Sequence, residues 1–156
     1  MQSNLDGQKK KPIYTFAVIA DSHMNPEEDQ STSPWESNKR ANARARWVIS
    51  ELNKQSPEFV VHLGDFIHPV PALNSFSLAA SKFNSLFEGL ESPLHLVPGN
   101  HDVGDKPAAW LPAGTVTEGY VAQYREHFGK DYFSFEHEKS LFIVINSQLI
   151  NSGLLF

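Results

Sequence analysis

The chain has 156 residues, 40% of them apolar, which is enough for one compact domain with a hydrophobic core and leaves little room for two. A net charge of −5 argues against a protein that wraps nucleic acid by neutralising phosphates, since the only basic run, Lys9 to Lys11, lies in a polar tail. The absence of cysteine excludes disulfides and thiolate metal sites, so any metal must be held by Asp, Asn, Glu or His.

Residues 1–12 read as that polar tail and lack the apolar stretch of a secretory signal. No run approaches the roughly 18 apolar residues of a membrane span, so the expectation is a cytoplasmic protein with no membrane association. Residues 13–20 (IYTFAVIA) form a nearly unbroken apolar run rich in β-branched and aromatic residues, which predicts a strand buried on both faces. From Ser22 to Glu36 the chain is loaded with Pro, Ser, Asn and acids and reads as a long exposed loop of the kind that shapes a binding site. Ala41, Arg44, Trp47, Val48 and Leu52 fall at helical spacing and predict a helix over 37–53, with Ser56-Pro57 as its exit.

Residues 59–63 (FVVHL) predict a second apolar strand that runs into Gly64-Asp65, followed by a loop through Pro69 and Pro71. A stripe of Phe76, Ala79, Phe83, Leu86, Phe87 and Leu90 predicts a helix over 73–90 whose apolar face is core. After Ser92-Pro93, a third short strand over 94–97 leads into Pro98-Gly99-Asn100-His101-Asp102. Residues 106–119 read as a Pro/Gly/Thr-rich loop and 120–128 as a short helix. Residues 132–135 and 141–145 read as paired strands joined by a polar turn over 136–139. The apolar end, Leu154-Leu155-Phe156, resembles a cut more than a finished edge.

Strand, helix, strand, helix, strand with crossover-length connections is the pattern of a parallel α/β layer. The strands of such a sheet share one carboxyl edge, so Asp21, Asp65 and Asn100, each just past a strand, are expected to converge there. Asp21-Ser22-His23 offers a carboxylate and an imidazole on one loop. Gly64 leaves room for Asp65 to approach two cations, and Asn100 offers a neutral carbonyl oxygen. This donor set suits phosphoester hydrolysis, where two cations about 3.5–4 Å apart can activate a water and absorb transition-state charge. Taken singly, each residue also fits a plain strand-end turn or cap.

In this order and at these strand ends, Asp21-Ser22-His23, Gly64-Asp65 and Gly99-Asn100-His101-Asp102 resemble the calcineurin-like metallophosphoesterases. The segments 132–135 and 141–148 are similar to the next strand pair of the subgroup of calcineurin-like phosphoesterase domain-containing protein phosphatases. The resemblance runs from about Ile13 to Gln148. It implies the family's four-layer α/β/β/α sandwich, with residues 13–156 as its amino-terminal half.

The resemblance further implies that Asp21 and His23 bind one metal, that Asp65 bridges two, and that Asn100 binds the second. The metals would be two divalent or trivalent ions of manganese, iron or zinc. His101 would face the substrate phosphate with Asn100 and donate a proton to the leaving oxygen, and Asp102 would support catalysis by orienting the loop and the imidazole without binding metal. In-line attack on phosphorus by a metal-bound hydroxide would follow, with no phosphoenzyme. Substrates of the family include phosphoproteins, small phosphomonoesters and cyclic nucleotides. The family pattern also has a further His and a Gly-His-x-His motif, which this sequence lacks. Weak or partial metal binding and low turnover are therefore expected of this chain unless a longer one supplies them.

A catalytically inactive scaffold or binding module of the same fold is the alternative. Self-association through an uncovered apolar sheet face is a further expectation. Among the other histidines, His62 and His95 read as packed sheet residues, His127 and His137 as surface, and His68 as near enough to Asp65 to line a pocket. Trp35 and Trp110 either border a cleft or pack a loop.

Overall fold

The computed structural model describes residues 12–104, 114–150 and 152–154. The tail over 1–11, Trp110 with most of the predicted loop around it, and Leu155-Phe156 lie outside the described residues. In chain order the elements are β1 (Ala17–Ile19), α1 (Ala41–Gln55), β2 (Val60–His62), α2 (Phe76–Phe87), β3 (Leu94–Leu96), α3 (Asn100–Val103), α4 (Glu118–Phe128), β4 (Phe133–His137) and β5 (Ser140–Val144). Short 3-10 turns over Glu36–Arg40 and Ser147–Leu149 complete them.

The first three strands form a parallel sheet in the order β1-β2-β3, in the register Ala17, Val60, Leu94 and Ile19, His62, Leu96. Alternation along the strands turns these residues to one face, where Ile19, Leu94 and Leu96 pack on the core built by α1, α2 and α4. Phe83 of α2 lies at its centre, 4.3 Å from Phe87 and 5.2 Å from Phe66 between ring centroids, with the His62 ring at 5.8 Å. Burying a side chain of this size stabilises the fold by about 1.5–3 kcal/mol.

The antiparallel hairpin β4-β5 covers the opposite face. Phe135 stacks on His95 at 3.6 Å, and Phe142 meets Phe59 edge-on at 5.1 Å. The described residues thus supply a helix layer, a parallel sheet and a facing antiparallel sheet, the α/β/β part of the expected sandwich. The hairpin's outer side leaves Leu141, Ile143 and Ile145 exposed, beside an apolar groove of about 1270 Å³.

The buried face of α1 is Ala41, Ala45 and Ile49, where the small alanines admit close approach, and Trp47 stays exposed. Two expectations shift. The first strand is shorter than 13–20 and only half covered, with Val18 53% exposed, because the hairpin's ring contacts fall on Phe16, Phe59 and His95. The segment after Ser22 also begins buried, for Met24 pairs with Ile67 and the Asn42 side chain accepts the Asn25 amide at 2.8 Å and donates to the Asn25 carbonyl at 3.0 Å. Farther along, Glu28 joins Arg46 of α1 and Lys82 of α2, so the segment is fastened to both helices.

Candidate metal centre

Two chain segments leave the sheet edge side by side. The amides of Asp21 and His23 donate to the carbonyls of Gly64 and Asp65, each at 3.0 Å, and the Met24 amide donates to Phe66 O at 3.0 Å. Along this path Asp21, His23 and Asp65 take φ of +56°, +42° and +55°, and Gly64 takes +103°. Left-handed residues break the strand's alternation, and here they bring three side chains to one spot that regular pairing would separate. His23 Nε2 lies 3.7 Å from Asp21 Oδ1 and 3.6 Å from Asp65 Oδ2.

One ligand atom from each of Asp21, His23 and Asp65 falls within 4.8 Å of the others. Donors that each sit about 2.1 Å from a shared ion lie about 3–3.6 Å apart, so the spacing around His23 fits a cation of the zinc or manganese type. The mixed set of two carboxylates and one imidazole fits as well. His23 is held below its ordinary pKa, first by burial and then by His101, while Asp65 and Asp21 oppose the shift. An imidazole kept neutral retains the lone pair that ligation needs.

Asp102 fastens the third segment to the second. It is fully buried, and its carboxylate accepts the amides of Asp65 at 2.7 Å, Phe66 at 3.0 Å and Gly99 at 2.8 Å. Asp65 Oδ1 in turn accepts the amide of His101 at 3.0 Å. Burial and the neighbouring Asp65 carboxylate push the Asp102 carboxyl up to about 8, and the three amides resist that rise. These three hydrogen bonds all go to backbone amides and none of them reaches the His101 ring, so what Asp102 sets through them is loop geometry.

Two motif glycines make this approach possible. A Cβ on Gly64 would run into the backbone of Gly99, and one on Gly99 would run into the Asp65 carboxylate and amide. Asn100 opens α3 immediately after Gly99, half-buried at the same edge, and His101 follows with 6% exposure.

Two further histidines support the loops. His62 Nδ1 accepts the Gly64 amide at 3.3 Å, so its Nε2 carries the proton and donates to Ser22 Oγ at 2.9 Å; that hydroxyl donates to Phe66 O at 2.8 Å. Burial, and secondarily His23, lowers His62 to about 3, which keeps this relay neutral. His101 Nδ1 lies 3.0 Å from His68 O and donates to it, which turns Nε2 toward the site. His68 is 4% exposed and its Nε2 has no hydrogen-bond partner.

The structure therefore brings Asp21, His23, Asp65 and His101 together, with Asn100 at the same edge. The sequence reading missed the tie from His62 to Ser22, which alternation could not reveal because it depends on the strand-end bulge. It also undervalued His68, whose only signal was its position three residues after Asp65. His127 and His137, expected at the surface, are partly buried and bonded to Ser77 and Glu58.

The family model described as calcineurin-like phosphoesterase matches residues 14–152. The chain belongs to the calcineurin-like phosphoesterase family. It is 33% identical over 124 residues to the serine/threonine-protein phosphatase CPPED1 of Bos taurus, covering 78% of this chain and 36% of that protein. The Homo sapiens CPPED1 is 33% identical over 122 residues, and the Danio rerio one 30%, each covering 77% of this chain and 36% of the relative. The chain thus spans about a third of the length of these relatives, which are the subgroup that the hairpin segment resembled. Among solved structures, a dimetal phosphatase from Danio rerio matches with a TM-score of 0.48 and 19% identity, over 58% of this chain and 30% of that one. No helix among the described residues is long and apolar enough to cross a membrane.

Proposed function

We propose that this chain carries the catalytic loops of a metal-dependent phosphoester hydrolase that acts as a phosphatase. The observation that carries this reading is the meeting of Asp21, His23 and Asp65 at one sheet edge, their ligand atoms within 4.8 Å of one another. Asp21 and His23 would hold one cation, Asp65 would reach two, and Asn100 would serve the second; manganese, iron and zinc suit this oxygen and nitrogen set. Such ions, when bound, supply an activated water and positive charge for the phosphoryl oxygens, for in-line attack with no phosphoenzyme.

The chain's own residues do the rest. His101, with both ring nitrogens protonated, would give its Nε2 proton to the leaving oxygen and return to the neutral ring, while its Nδ1–H stays bonded to His68 O and fixes the ring orientation. Asn100 and His101 together face the phosphate. Asp102 holds the loop through backbone amides and so keeps Asp65 and His101 in mutual register. The names of the relatives favour a phosphoprotein substrate over a small phosphomonoester or a cyclic nucleotide. Self-association through the exposed Leu141, Ile143 and Ile145 face is part of the same proposal and is read by size-exclusion chromatography, where a clean monomer counts against it.

An inactive binding module of the same fold is the rival reading. Hydrolysis of para-nitrophenyl phosphate and of a phosphoserine peptide with added manganese, by the wild-type chain and by Asp65→Asn, separates the two. Activity that Asp65→Asn abolishes supports the enzyme; equal rates in both proteins would sink the site proposed here.

A further inference from the structure

A second group of donors shares His23 with the carboxylate centre. One ligand atom from each of His23, His68 and His101 lies within 4.8 Å of the others. The His23 and His101 rings are 4.7 Å apart, His68 and His101 5.9 Å, and His23 and His68 6.3 Å. No carboxylate belongs to this group. His68 is the residue that the hydrolase reading leaves without a task at its ring, although its backbone is well used: its amide donates to Met24 O at 2.8 Å and its carbonyl receives His101 Nδ1. Its Nε2 and the Nδ1 of His23 are both buried with no hydrogen-bond partner. A buried ring nitrogen left unpaired costs about 1–3 kcal/mol, and both call for a partner that satisfies them.

We infer that His23, His68 and His101 form a second cation site, free of carboxylates, that takes an imidazole-preferring ion such as zinc in competition with the carboxylate centre. Three imidazoles with an open position are a well-fitted zinc set, whereas manganese and magnesium favour the oxygens of Asp21 and Asp65. Because His23 belongs to both groups, one ion cannot be served fully by both. Ion type therefore decides which side His23 serves. The inference rests on the phosphatase reading in one respect: an ion on the imidazoles occupies His101, so excess zinc withdraws the proton donor and lowers turnover, while manganese does not.

The test is metal binding, read without activity. The metal-free chain is titrated with zinc and with manganese by calorimetry, and with cobalt by its visible absorption, in wild type, His68→Gln and Asp21→Asn. Zinc affinity should fall tenfold or more in His68→Gln with manganese affinity unchanged, and Asp21→Asn should show the reverse. Zinc binding unaffected by His68→Gln would overturn the inference. Manganese binding unaffected by Asp21→Asn would instead count against the carboxylate centre, so the two failures are distinct. Should His68→Gln not fold, long-range proton–nitrogen NMR of the wild-type imidazoles decides: zinc must shift a His68 ring nitrogen, and an unmoved His68 signal at saturation would refute the site.

Discussion

Asp102 and Asp65 hold each other's loops: the carboxylate of Asp102 accepts the amide of Asp65 at 2.7 Å, and the carboxylate of Asp65 accepts the amide of His101, the residue before Asp102, at 3.0 Å. Each acid thereby fixes the backbone on which the other stands. Substituting Asp102→Ala would leave the amides of Asp65, Phe66 and Gly99 without their acceptor. At about 1–3 kcal/mol for an unsatisfied buried group, we expect a loss of at least about 3 kcal/mol in denaturant unfolding. A loss under about 1 kcal/mol would mean the clasp is unimportant.

Asp65→Asn should be a cleaner change. Asparagine tolerates the left-handed backbone that Asp65 adopts at φ +55°, and it still presents an oxygen to the His101 amide. Unfolding free energy should move by less than about 1.5 kcal/mol, while manganese affinity measured by calorimetry falls steeply. Retained manganese binding would remove Asp65 from the cation centre.

Gly99→Ala tests the close approach itself. Its new methyl would press on the Asp65 side chain and amide, and overpacking of this kind costs about 1–3 kcal/mol. Thermal unfolding should drop and manganese binding should weaken together. A variant as stable and as competent as wild type would show that the loops have room to spare.

Acid should weaken the metal-free fold through its buried histidines. His62 is lowered from 6.5 to about 3 and His68 to about 4, both chiefly by burial. The unfolded chain binds their protons first as pH falls, so the contribution of these two histidines is full above about pH 6.5 and is lost from there toward about pH 3, while Asp102, raised to about 8, works in the opposite sense between about pH 8 and 4. Each histidine contributes a slope of up to about 1.4 kcal/mol per pH unit. In His62→Gln the slope between pH 6 and 4.5 should be smaller by up to about 1.4 kcal/mol per pH unit; an unchanged slope in urea unfolding curves would assign acid sensitivity elsewhere.

Tyr124 has a fully buried hydroxyl with no hydrogen-bond partner, and burial first and then Asp102 raise its pKa. Tyr124→Phe removes that orphan while keeping the ring contacts to Phe66 and Phe128. The midpoint of thermal unfolding should stay level or rise. A fall of several degrees would reveal a hydroxyl partner that the static arrangement does not contain.

Much of this was legible in the sequence because the strands are short apolar runs that end abruptly in Asp or Gly. Phe76, Ala79, Phe83 and Phe87 declared the α2 core face by spacing alone, and Asp21, Asp65 and Asn100 were located by the shared carboxyl edge of a parallel sheet. What was not legible depends on local departures from regular geometry. The short helix over Asn100–Val103 is built around the Gly99 amide donating to the Asp102 carboxylate, which the residue pattern does not announce. The tie from His62 to Ser22 needs the bulge at Asp21 to exist before it can form. The spacing through Trp47 gave the α1 helix without saying which side is covered, and the covered side is that of Ala41, Ala45 and Ile49.

The left-handed turns at Asp21, His23 and Asp65 carry an implication for how such a chain would drift. A side chain in that conformation costs up to about 1–2 kcal/mol that glycine would avoid. Selection for durability alone would therefore weigh toward glycine at Asp21 and His23, while Asp65 also holds the His101 amide. That two acids and a histidine occupy the three positions together is a signature of purpose visible in a single molecule. It makes replacement of Asp21 by glycine a substitution that should gain stability as it loses the ion.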